Sequence, residues 1–166
     1  MQVLYEHKAE MTLIGYSTKI RHDEGCVRCP EFWEKEYSKK YARLWRTMRP
    51  ETPTEKAILE NEIGMFAICE DGADSFEYWI AGLYRGGDVP TGLKLCTIPE
   101  SDWAMFSTKG ALPDALQRLS AHVFNEWLPN EGGCYACGST MLEVYTAGDM
   151  QSPDYESGIW VPVKLK

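Results

Sequence analysis

An α+β fold is predicted for these 166 residues, and three observations lead to it. Short runs rich in β-branched and aromatic residues recur along the chain, as in Met11–Ile20, Phe76–Tyr84, Met141–Tyr145 and Ile159–Val163. Two longer stretches instead carry apolar residues at helical spacing: Trp33, Tyr37, Tyr41, Leu44 and Met48 in one, Leu112, Leu116, Leu119, Val123 and Trp127 in the other. The order strand, helix, strand, strand occurs twice, so the chain reads as one domain, residues 1–166, built of two pseudo-repeats, roughly 1–85 and 93–166.

In order, Glu6-His7-Lys8 reads as a charged break before the strand Met11–Ile20, and His22–Cys26 as a loop. Pro30 near the first position starts a helix, with Glu31 and Glu34 in its first turn, where carboxylates suit the helix dipole. Arg43, Arg46 and Arg49 suit its other end, and Pro50 stops it. Glu51–Asn61 is a loop or a short helix. Ile63–Cys69 and Phe76–Tyr84 form a hairpin across the turn Asp71–Asp74. Arg85–Gly92 is a glycine-rich hinge that lacks the following helix and the lysine of a phosphate loop. Strands Lys94–Ile98 and Trp103–Ser107 follow, then a helix Leu112–Leu128 with Pro113 at its start and Pro129 at its end. Strands Met141–Tyr145 and Ile159–Val163 close the chain, joined through the turn residues Ala147-Gly148-Asp149 and Ser152-Pro153-Asp154.

A net charge of −8 argues against autonomous binding of nucleic acid or of an anionic membrane, since both require a basic face. The N-terminus carries no secretory apolar region, and no run approaches a membrane span. A cytoplasmic, reduced setting is expected. Cys26 with Cys29, and Cys134 with Cys137, each have the spacing of half a zinc site. No histidine lies near them and no thioredoxin-like strand-to-helix pattern surrounds them, so reduced thiols are expected, with no metal and no cofactor. Six Trp, nine Tyr and five Phe exceed what a core of this size needs. Rings that combine an apolar face with a polar handle suit an amphipathic pocket.

One acidic residue stands out. Glu143 sits in the strand Met141–Tyr145, where alternation puts Met141, Glu143 and Tyr145 on one face and Leu142 and Val144 on the other. A carboxylate so placed either faces water or lines an apolar pocket, and in a pocket it awaits a cation or a raised pKa.

The motifs around it, ESDWAMFSTKGALPDALQRLSAHVFNEWLPN (100–130) and LEVYTAGDMQSPDYESGIWVPVK (142–164), with CPEFWEKEY (29–37) and IGMFAIC (63–69) matching more loosely, resemble the GyrI-like small-molecule-binding family. Its relatives include effector-binding domains of AraC-type and MerR-type regulators. The resemblance implies a joined antiparallel sheet with two long helices and a ligand cleft between the halves. It also implies that Glu143 meets hydrophobic, often cationic aromatic ligands there, for multidrug binding, sequestration or sensing. Tyr41, Trp45, Phe66, Tyr78, Trp79, Trp103, Tyr145 and Trp160 are the candidate walls, although Tyr78 and Trp79 cannot both face inward on a regular strand. Many relatives carry a second acid at the position of Gly158. The chain has no helix-turn-helix before its first strand, so it is expected to act alone, as a homo-oligomer or with a separate regulator.

The same resemblance reaches hydrolases that open the cyclopropane ring of DNA-alkylating natural products. In that reading Glu143 is the general base, and Tyr41 or Tyr78 assists with its hydroxyl. A third reading is a protein-interaction module without a pocket, its exposed aromatics facing a partner.

Overall fold

The computed structural model describes residues 3–131 and 140–164. In chain order its elements begin with β1 (Val3–Lys8) and β2 (Met11–Arg21). A 3-10 turn (His22–Glu24) then leads into α1 (Gly25–Trp33), which continues as a π-helical stretch, Glu34–Lys39. Next come α2 (Ala42–Thr47), α3 (Pro53–Glu60), β3 (Phe66–Asp71), β4 (Ser75–Leu83), β5 (Lys94–Ile98) and β6 (Ser101–Lys109). Helix α4 (Asp114–His122) runs on through a π-helical turn, Val123–Trp127, and a last turn, Leu128–Asn130, before β7 (Thr140–Tyr145) and β8 (Glu156–Val163). The α+β class and the repeated order, β2-helices-β3-β4 and β6-α4-β7-β8, are those read from the sequence. Cys134 and Cys137 lie outside the described residues, and with them half of the paired CxxC motif.

The chain divides into two compact units, Thr12–Ile98 and the flanking Met1–Met11 with Pro99–Lys166. In the Thr12–Ile98 unit the strand order is β3-β4-β2-β5, with β4 antiparallel to both neighbours whose register is known. Register places Ile14, Tyr16 and Ile20 of β2 with Ile80, Tyr78 and Phe76 of β4 on one face. There Ile14 and Ile80 join Leu44, Ala57, Ile58 and Ile63 in one buried cluster, so this is the face that the helices cover. Short α3 is held at its start by the Thr52 hydroxyl, which accepts the Glu55 N–H at 3.1 Å, with Pro53 in its first turn. Glu55 in turn takes the Glu51 N–H at 3.0 Å and Arg43 Nη2 at 2.5 Å. The Glu51 N–H first, and then Arg43, hold its carboxyl below the ordinary range.

The flanking unit has strand order β1-β6-β8-β7, antiparallel throughout. Ala115, Leu116, Leu119, Val123 and Trp127 form the buried stripe of α4, which packs on β6 and β8. Trp127 meets Phe106 edge-on at 4.9 Å. No helix among the described residues is long and apolar enough to cross a membrane.

Three elements differ from the sequence expectation. Glu6-His7-Lys8 is not a break; it belongs to β1, which pairs with β6. The first helix begins before Pro30, which lies inside α1. The helix is also not continuous to Arg49. It breaks at Tyr41 (φ −110°, ψ 25°) and ends at Met48 in the left-handed region (φ 54°).

Candidate functional site

Strand pairing decides which candidate residues share a side. In β7, Glu143 pairs with Ile159 and Tyr145 with Ser157, whereas Leu142 pairs with Trp160. Ile159 pairs in turn with Phe106 of β6, which carries Trp127 of α4. Glu143 and Tyr145 therefore stand on the helix-bearing face of their unit. They are joined there: the Tyr145 hydroxyl donates to Glu143 Oε1 at 2.9 Å. Tyr145 is buried and Glu143 half-buried.

Trp103 and Trp160 go to the opposite face of the same unit. Their rings lie 6.2 Å apart, and Lys8 Nζ sits 5.0 Å from the Trp160 ring. Two buried indole N–H groups in this unit, those of Trp103 and Trp127, have no hydrogen-bond partner among the described residues. Gly158 pairs with Val144 and Ser107, on the side away from Glu143. A Cβ at Gly158 would lie 2.5 Å from the Phe106 carbonyl oxygen, so the close approach of β6 to β8 requires glycine. A second acid at this position has no room, and the position is not on Glu143's face.

In the Thr12–Ile98 unit, Tyr78 and Trp79 point to opposite sides, as a regular strand requires. Tyr78 is on the helix side. Its hydroxyl accepts the Trp33 indole N–H at 2.8 Å, and Phe32 lies 6.2 Å from its ring. From there rings run along the helix: Trp33 to Tyr37 at 5.1 Å, and Tyr37 to Trp45 at 4.7 Å. Tyr41, at the helix break, packs on the same cluster with Lys40 Nζ 5.7 Å from its ring, and burial raises its pKa. Tyr16 joins from β2; its hydroxyl donates to the Glu36 carbonyl at 2.7 Å, and burial drives its pKa far up. Trp45 donates its indole N–H to the Tyr37 carbonyl at 2.9 Å. These two donors serve the π-helical stretch, where a widened helix leaves carbonyls poorly paired. Gly64 (φ +121°) makes room for the Tyr37 ring, since a Cβ there would lie 2.1 Å from the Tyr37 hydroxyl.

The structure thus brings Tyr41, Trp45 and Tyr78 into one aromatic cluster and Glu143 with Tyr145 into another site. Phe66 and Trp79 face the other side of their sheet. Tyr16 and Phe32 were missed in the sequence. Parity with Ile14 was the available signal for Tyr16; for Phe32, one residue before the Trp33 stripe, there was none.

An open groove of about 1060 Å³ runs beside the start of α1, lined by Thr18, Arg21, Arg28, Phe32, Lys35 and Ser75 among others. Three of its cations are held in ion pairs, with Lys35 2.8 Å from Glu31, Arg28 3.4 Å from Glu24 and Arg21 3.3 Å from Asp23. It reads as a solvated seam of ion pairs rather than a ligand site.

Comparison with known proteins agrees with this architecture. The structure of SAV2435 bound to tetraphenylphosphonium superposes with a TM-score of 0.77 at 22% identity, covering 99% of this chain and 94% of that one. An integron cassette protein from the mobile metagenome of Vibrio cholerae gives 0.65 at 10% identity, covering 98% and 95%. The EcmrR C-terminal domain gives 0.60 at 13%, covering 99% and 98%. At these identities the likeness is one of fold. No curated protein matches the sequence. The family model described as Cass2, integron-associated effector binding protein, matches residues 6–163, so the chain belongs to this family of GyrI-like fold.

Proposed function

We infer that the chain binds hydrophobic, aromatic small molecules, with a preference for cations, and that Glu143 supplies the counter-charge. One observation carries this reading: a half-buried carboxylate, held by the Tyr145 hydroxyl at 2.9 Å, on the sheet face that also bears Ile159 and Phe106. A charge in such surroundings is worth its desolvation when an opposite charge meets it. Aromatic faces add attraction for a cation, about 0.5–2 kcal/mol per ring. In the same unit the ring beside Glu143 is that of Tyr145. Tetraphenylphosphonium, the ligand of the fold relative SAV2435, has the charge and shape that this chemistry favours. With no nucleic-acid or membrane partner suggested by its charge, the chain sequesters or senses its ligand, either alone or for a separate regulator.

The test is a titration of the protein with tetraphenylphosphonium, followed by tryptophan emission. Saturable quenching at one equivalent is expected, and no interaction would refute the reading. Incubation with a cyclopropane-bearing alkylator separates the hydrolytic alternative: a ring-opened hydroxyl product would make Glu143 a base rather than a counter-charge.

A further inference from the structure

Trp79 lies on the sheet face opposite Tyr78, and its surroundings are those of a cation receptor. Ile68 and Ser17 are its cross-strand neighbours, and its indole N–H donates to Glu70 Oε1 at 2.5 Å. Glu70 and Glu77 stand directly opposite each other across β3 and β4, so two carboxylates share one side of the sheet. Like charges so placed repel unless a cation answers them. Ser17 donates its hydroxyl to Glu77 Oε1 at 2.7 Å, which orients that carboxylate without neutralising it. Lys19 is the register partner of Glu77 on β2, but the ammonium that reaches the ring comes from elsewhere.

That ammonium belongs to Lys94 of β5. Its Nζ lies 4.5 Å from the centre of the Trp79 ring and 3.9 Å from Glu77 Oε1. The ring is only 5% exposed, while the lysine above it is 54% exposed. Lys94 is therefore the ring's cover as well as its charge partner. Cys96, two residues on and on the same side of β5, is affected by both groups: burial, with Glu70 adding to it and Lys94 opposing it, pushes its thiol up to about 11.

We propose that Trp79, Glu70 and Glu77 form a second organic-cation site, able to take an alkylammonium group, which Lys94 fills from within the chain. The Lys94 side chain is the bound species in miniature: a primary ammonium on an alkyl stem, over a ring face and 3.9 Å from the Glu77 carboxylate, while Glu70 holds the ring by its N–H. Its tether gives it a high effective concentration, so a free alkylammonium competes poorly until the lysine is removed. The site lies within the Thr12–Ile98 unit and does not depend on Glu143 or on the function proposed above.

The experiment titrates the full chain with n-butylammonium chloride at fixed ionic strength and follows the Trp79 indole N–H resonance, assigned through Trp79→Phe. In Lys94→Gln the resonance is expected to move saturably, with an apparent affinity at least tenfold higher than in the wild type. Lys94→Arg restores a tethered cation and should respond as weakly as the wild type, which separates occupancy from a general loosening of β5. Glu143→Gln should leave the response of Lys94→Gln unchanged. No movement in Lys94→Gln would overturn the proposal. So would equal responses in wild type, Lys94→Gln and Lys94→Arg, or loss of the response with Glu143→Gln.

Discussion

Trp33 donates its indole N–H to the Tyr78 hydroxyl at 2.8 Å, tying the end of α1 to the middle of β4. Tyr78 is 1% exposed, so the bond is made out of water, where a lost partner matters most. Trp33→Phe keeps an aromatic ring and removes the donor. It is expected to destabilise the protein by about 0.5–1.5 kcal/mol, measured by urea unfolding with an unchanged slope. A larger loss would mean that the Trp33 ring, which packs on Tyr37, carries more than the bond.

Gly158 provides a test of the strand pairing on which Glu143's orientation depends. With a Cβ only 2.5 Å from the Phe106 carbonyl oxygen, Gly158→Ala forces β6 and β8 apart. A cost of about 1–3 kcal/mol is expected, as for other overpacked sites, read as a fall in thermal midpoint. Gly158→Glu should be worse rather than supply a second ligand acid. Full stability in either variant would contradict the pairing of Gly158 with Ser107.

His7 makes stability depend on pH. Its Nδ1 lies 2.8 Å from Asp102 Oδ1 and its Nε2 3.1 Å from Glu100 Oε2, and these bonds, that of Asp102 first, raise its pKa. The folded chain then holds the proton more tightly than the unfolded one. The contribution is complete below the unfolded value, about 6.5, and is lost as pH rises through the higher folded value. The gap in thermal midpoint between wild type and His7→Gln should be widest near about pH 5.5 and close toward about pH 8.5. Because the group is exposed, about 0.5 M salt should flatten the difference. A gap that widens with pH would contradict the assignment.

Much of this was legible in the residues. Alternation alone put Glu143 with Tyr145 and set Tyr78 against Trp79, because period-2 geometry needs no tertiary information. The helix stripe Trp33, Tyr37, Tyr41 and Leu44 marked the side that faces the sheet. Pattern reading missed β1, since an edge strand can carry the charged run Glu6, His7 and Lys8 and draw its stability from pairing and ion pairs. It misplaced the start of α1 because Pro30, tolerated inside the helix here, resembles a first-turn proline. It gave a continuous helix through Tyr41, where the chain instead widens and breaks, with Tyr16 and Trp45 supplying hydrogen bonds from outside the helical pattern. Grouping the rings into separate sites required the register of strands distant in sequence, which local pattern does not encode.

The central claim is that Glu143 is the counter-charge for a bound aromatic cation. The most direct measurement compares calorimetric affinities for tetraphenylphosphonium in wild type and Glu143→Gln at about pH 7 and matched salt. Removing the charge while keeping an acceptor for Tyr145 should weaken binding at least about tenfold, some 1.4 kcal/mol. Equal affinities in the two proteins would contradict the account.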